Sequence, residues 1–197
     1  MKTFTREIDG VTVRAEAEAT LENQVLGVFE ILSSLPNGAV ARGETVELGW
    51  GPLIPEVLAD GSVRLRTPDY SSDPYTELTY DLTIALWVLY EQVAVARQYG
   101  SSGKPTRFDD KVFYSKGALE TEQRTYATRS ESTSPADSGW FVGFVPPGDH
   151  ELEATRAYRL LTRRRPLIPL LSLTPGFLVV MTGDKIQSVR NAEGEGA

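Results

Sequence analysis

The stretch from Asp73 to Gly100 constrains this chain most, because Ile84-Ala85-Leu86-Trp87-Val88-Leu89-Tyr90 is apolar on every side of a helix. A surface helix shows a stripe, whereas one that is apolar all round is buried. Asp73 and Pro74 supply a start signal, and Glu77 and Asp81 put negative charge into the first turns. Arg97 lies in the last turn and Gly100 can take the left-handed stop. A membrane span needs about 20 apolar residues, and Tyr80, Asp81, Thr83, Glu91 and Gln92 interrupt this stretch too soon. The reading is a long buried central helix, with Trp87 and Tyr90 as core packing rather than a ligand cage.

The flanking segments are mostly strands. Phe4, Arg6 and Ile8 alternate with Thr5 and Glu7, Asp9-Gly10 turns the chain, and Val11, Val13, Ala15 and Ala17 alternate with polar residues. Asp-Gly between alternating runs suits a two-residue type I′ hairpin that pairs Ile8 with Val11. Thr20 then caps a helix over Leu21–Leu35, whose apolar residues keep the three-and-four spacing of one stripe. Val46, Leu48 and Trp50 alternate inward, Pro52 and Pro55 make the next segment irregular or an edge, and Asp60-Gly61 is a second hairpin signal.

Ser101-Ser102-Gly103-Lys104-Pro105 is the best boundary. It divides the chain into an acidic N-terminal α+β region, 1–104, a C-terminal α+β region, 105–191, and a disordered tail, 192–197. In the second region Phe108–Tyr114 and Thr125–Arg129 have strand character, and Trp140–Val145 suits a central strand. Asp149 can cap a helix over Glu151–Arg164, whose charge order suits the macrodipole, so Arg163, Arg164 and Arg165 need no phosphate ligand. Leu167–Leu173 reads as a short turn or helix, and Phe177–Val189 as a closing hairpin. The fold class is α+β: mostly antiparallel strands packed on the central helix, with a second α+β segment abutting it.

Composition removes several function classes. There is no cysteine, so no disulfide, thiol nucleophile or zinc-thiolate site exists. One histidine, His150, cannot build a histidine-rich metal site, and no serine sits in a nucleophile-elbow pattern. The net charge of −7 is uneven: residues 1–100 hold 7 Lys and Arg against 15 Asp and Glu. That argues against nucleic-acid binding, where a basic footprint is expected, and permits attraction to a basic protein. Residues 1–20 carry Glu7, Asp9, Glu16 and Glu18 and no apolar run, which gives the expectation of a cytoplasmic protein. No cofactor, metal or membrane is called for.

The informative constellation is Arg129 followed by Asp137-Ser138-Gly139-Trp140. Asp137 and Ser138 can bond nearby backbone and fix a turn, Gly139 allows a close backbone approach, Trp140 enters the core, and Arg129 can close over Asp137. On physics alone this is a rigid structural corner, or else a partner-binding site. The span Val112–Val189 resembles the bacterial immunity protein family numbered thirty-three. The resemblance rests on Arg129, the Asp137–Trp140 run, and then Pro166, Ile168, Leu171, Pro175 and Gly176. It implies a protein that is no enzyme and that protects the producing cell by binding a cognate toxin, usually encoded beside it. Inhibition is then steric, over an interface of about 1,600 Å². If the toxin is basic, Glu16, Glu18, Glu44 and Glu47 form the docking face; otherwise they are simply solvated strand faces.

A different class stays open: a small-ligand binding module or a hydrolase using Asp109, Asp137 and His150. A deep pocket lined by Arg129, Asp137 and His150 speaks for it. A filled core at Trp140 with an acidic convex surface elsewhere speaks for an inhibitor.

Overall fold

The alternation of the first 18 residues folds as read. In the computed structural model, which describes residues 1–102, 105–132, 134–191 and 193, strands β1 (Lys2–Ile8) and β2 (Val11–Ala17) form an antiparallel hairpin with Ile8 opposite Val11. Asp9 and Gly10 both take positive φ, 52° and 76°, as a type I′ turn requires. Arg6, the polar exception on the inward face, bonds Glu30 at 2.6 Å.

The chain divides into two compact units, Met1–Tyr90 and Glu91–Ala197. In the first, helix α1 (Glu22–Ser33) follows a 3-10 turn over Ala19–Leu21, so Leu21 rather than Thr20 stands at its cap. Its buried Val25, Val28, Phe29 and Leu32 belong to one cluster with Phe4, Ile8, Val13, Ala15 and Ala17 of the hairpin. The sheet runs β1-β2-β5-β4-β3 and includes β3 (Val46–Glu47), β4 (Pro52–Val57) and β5 (Val63–Pro68). The β2–β5 pair is parallel, while β6 (Leu78–Thr79) pairs with β5 antiparallel.

The long buried helix over 73–100 is not found in that form. Asp73 starts a single turn, its carbonyl accepting from Thr76 and Glu77, and the chain then pairs as β6. Asp81 makes the true start by accepting the Thr83 N–H at 2.9 Å, and α2 covers Thr83–Gln98. Leu86 and Val88 are buried, but Tyr90 is 50% exposed, so the helix is not covered on all sides. Among the described residues no helix is long and apolar enough to cross a membrane.

The second unit is built on a six-stranded sheet of order β10-β7-β9-β8-β11-β12. Its members are β7 (Lys111–Ser115), β8 (Arg124–Arg129), β9 (Asp137–Phe144), β10 (Leu152–Arg156), β11 (Leu178–Thr182) and β12 (Lys185–Arg190). As the apolar run suggests, β9 is central, parallel to β7 and antiparallel to β8. The expected helix over Glu151–Arg164 is instead edge strand β10, a 3-10 turn over Ala157–Arg159, and the four-residue α3 (Leu160–Arg163). Pairing with β7 and the Tyr114 hydroxyl on Glu153 (2.8 Å) override the helix-forming composition. Two 3-10 turns, Arg165–Leu167 and Pro169–Ser172, carry buried Leu167, Leu170 and Leu171. Of the tail assigned to 192–197, only Glu193 lies within the described residues, as Gly103 and Lys104 of the boundary segment lie outside them.

Two substitutions separate packing from turn geometry in the first unit. Phe29→Ala is expected to cost about 3–5 kcal/mol by emptying a core site. Gly10→Ala meets no neighbouring atom and should lose only about 1–2 kcal/mol, the left-handed backbone penalty. Urea midpoints at constant m-value measure both.

Candidate functional site

The Asp137–Trp140 run is a corner made of its own hydrogen bonds. Asp137 Oδ1 accepts the Gly139 N–H at 2.9 Å. Ser138 Oγ donates to the Lys111 carbonyl at 2.6 Å and accepts the Trp140 N–H at 3.1 Å. Gly139 sits at φ +75° and its carbonyl accepts the Ser130 N–H at 2.9 Å; a Cβ there would run into the Ser130 carbonyl oxygen. Only glycine fits, for steric and conformational reasons together. Trp140, 1% exposed, fills the core beneath.

Arg129, at the end of β8, is 9% exposed and points inward. Its Nε donates to the Ser138 carbonyl at 3.0 Å, and its Nη1 to those of Leu173 (2.6 Å) and Leu171 (3.4 Å). Its own carbonyl accepts the Gly176 N–H at 2.8 Å. Where the sequence suggests a carboxylate partner, the guanidinium thus holds carbonyl oxygens of two distant segments. One fork of donors ties the Asp-Ser-Gly-Trp corner to the proline-bounded segment that ends at Pro175-Gly176. Burial pulls the Arg129 guanidinium below its ordinary value, and the nearby charges of Asp110 and Glu131 oppose that pull.

Arg164 repeats the device. It is 3% exposed at the C-cap of α3 and donates to the carbonyls of Ala118 and Gly183, a second buried clip. Arg163 lies over the Tyr114 ring at 4.9 Å and bonds Glu120.

Beside the corner opens a concavity of about 660 Å³. Its charged lining is Arg107, Asp110, Arg129, Glu131 and Asp137, with Ser130, Ser132, Ser134 and Ser138 between them. Of the hydrolase candidates only Asp137 lines it. Asp109 faces the Arg107 Nε at 3.3 Å, and His150 is exposed with its ring 4.7 Å from that of Phe144. Glu131 was not legible as a site residue, because the topology alone brings it to Asp137. Among the described residues no group of three His, Cys, Asp or Glu is placed to hold a metal.

The acidic residues of the first unit are dispersed. Glu16 is paired with Arg64, and Glu44 with Arg42 at 2.6 Å, while Glu18 and Glu47 are exposed. The sheet order places Glu47 on β3 three strands from Glu16 on β2, about 14 Å at the usual strand spacing. Between them the outer face carries Arg64 over the Tyr80 ring at 3.7 Å and Arg66 against Glu56 at 3.3 Å. It is a mixed, paired surface.

The corner makes a sharp prediction. Gly139→Ala should lose at least about 3 kcal/mol, from the left-handed backbone and the clash combined. Arg129→Met should cost about as much by leaving buried carbonyls unpaired, and Arg129→Lys should not restore it, because an ammonium lacks the fork. Wild-type urea midpoints for these variants would refute the account.

Comparison with known proteins adds one result. No curated protein and no solved structure matches the chain. Residues 91–192, just over half of the chain and the part that holds the corner, its Arg129 clip and the concavity, match the Imm33-like domain, and the chain belongs to that family.

Proposed function

We propose that the chain is an immunity protein, binding a cognate bacterial toxin in the cytoplasm of the producing cell and covering the toxin's working surface. Membership of the Imm33-like domain family is the observation that carries this reading. The corner geometry supports it: Arg129, Asp137, Ser138 and Gly139 are engaged in fixing backbone. They act on a partner by giving the adjoining surface a rigid shape, which lowers the entropy lost on docking. The acidic excess of the first 100 residues, including Glu18, Glu44 and Glu47, speeds encounter with a basic toxin.

The concavity favours one other reading, a small-ligand binding module, since about 660 Å³ with convergent polar groups is within the range of ligand sites. Co-expression separates the two. The product of the neighbouring gene, expressed alone, should arrest growth; with this chain, growth should recover and a complex should co-purify. Absence of toxicity and complex, together with a metabolite that raises the melting temperature, would move the assignment to ligand binding.

A further inference from the structure

One margin of the first sheet is an open strand. Among the described residues β1 has a single neighbour, β2. The hairpin sets the direction of its backbone groups. A two-residue type I′ turn makes Ile8 and Val11 a hydrogen-bonded pair, and such pairs then alternate along the ladder. Arg6, Phe4 and Lys2 therefore bond Val13, Ala15 and Ala17, while Thr3, Thr5 and Glu7 turn their N–H and C=O groups away from β2. Glu16 shows the same parity: it stands opposite Thr3, and its carbonyl turns from β1 to accept the Leu82 N–H at 2.8 Å. Thr3, Thr5 and Glu7 are exposed, and among the described residues no backbone hydrogen bond meets them on the outer side.

Edge strands are ordinarily blunted by a bulge, a proline or a charge. The pairing of β1 with β2 runs unbroken from Lys2 to Ile8 and the strand holds no proline. Its cations are already answered: Lys2 bonds Glu22 at 2.8 Å and Arg6 bonds Glu30 at 2.6 Å, both on α1. Those bonds also fix which side of α1 lies toward the margin. Glu22, Leu26 and Glu30 follow one another at four-residue spacing and share a helix face. Leu26, 45% exposed, is thus held on the β1 side, between two glutamates tied to that strand.

We propose that the β1 margin is a self-docking surface, on which two copies of this chain pair β1 against β1, antiparallel, about a two-fold axis at Thr5. Register selects this occupant. With Thr5 opposite its counterpart, Thr3 falls opposite Glu7 of the second copy, and every outward residue exchanges both of its backbone groups. Phe4 then faces Arg6 and Lys2 faces Ile8, so no like charges meet. Moving the axis to Phe4 sets Lys2 opposite Arg6, and moving it to Arg6 sets that residue opposite itself; both are destabilising. The contact is isologous and closes at two subunits. It places the two Leu26 side chains on the same side of the joined sheet, flanking the axis. Nothing in the pairing depends on the immunity reading.

Light-scattering masses and dimer dissociation constants of the full chain test it. The wild type should be a dimer in concentrated solution. Thr5→Pro should keep the fold, because the Thr5 N–H takes no part in the β1–β2 ladder. It should weaken the dimer at least about 30-fold by removing the central hydrogen bonds. Thr5→Lys and Thr5→Glu should each weaken it about fivefold at low salt, and an equal mixture of the two should recover wild-type association, since the axis sets residue 5 opposite itself. Melting temperatures report folding, and the charge pair carries the test if the proline lowers them. A monomeric wild type would overturn the proposal. So would a dimer that survives Thr5→Pro in a folded chain, or a mixture no tighter than its components. A monomeric wild type whose Thr5 variants lose affinity for the neighbouring gene's product would give the margin to a toxin strand instead.

Discussion

A buried guanidinium organises the second unit. Taking Arg129 out of water is costly: burial lowers its guanidinium, and the charges of Asp110 and Glu131 oppose that pull. What offsets the cost is donor number: three carbonyl oxygens, from Ser138, Leu171 and Leu173, each accept from a charged group. Such bonds contribute about 1.5–3 kcal/mol apiece. The need for them is local. Residues 157–176 run through 3-10 turns and proline-bounded bends that leave carbonyls without ladder partners, and an apolar residue at 129 would strand those oxygens. Arg164 meets the same need at Ala118 and Gly183. Two cations thus do for irregular chain what hydrogen-bond ladders do for the sheet.

Local rules made part of this legible. The β1–β2 hairpin was readable to the residue, because a two-residue Asp-Gly turn fixes register once the flanks alternate. The strands β8, β9, β11 and β12 stand where alternation and apolar runs place them. The misreadings share one cause. Residues 73–82 and 151–164 carry helix composition and helix-like charge order, yet strands β5 and β7 each draw their backbone into pairing. Propensity amounts to tenths of a kcal/mol per residue, and a neighbouring strand with open hydrogen-bonding groups outweighs it.

The site divides the same way. The corner was visible as residue types, but the link from Arg129 to Leu171 and Leu173 spans more than forty positions and leaves no local trace. The inward face of β9 was hidden for another reason. Trp140, Phe141, Val142, Gly143 and Phe144 are apolar without a break, so the run signals a strand buried on both faces. In the fold the Trp140–Val142 side is buried, and Phe141 on the other side is half-buried. Parity along a uniformly apolar strand is undetermined until a neighbour's register fixes it.

The distribution of charge then separates two roles that composition merges. On the outer face of the first sheet, Glu16 is paired with Arg64, Glu56 with Arg66, and Asp60 approaches Arg14 at 3.9 Å. Exposed pairs of this kind contribute little to stability, and within each pair the opposed signs largely cancel. The net −7 still acts beyond the surface, over roughly one Debye length, about 8 Å at physiological salt. It can gather a basic partner but cannot orient it. Orientation requires groups fixed relative to one another, as the Tyr126–Phe141 ring pair over Gly143 is between β8 and β9 and the Asp137 carboxylate is by the Gly139 N–H. On the immunity reading, diffuse charge governs how often partners meet, and rigid groups such as those held by the clip govern which meetings last.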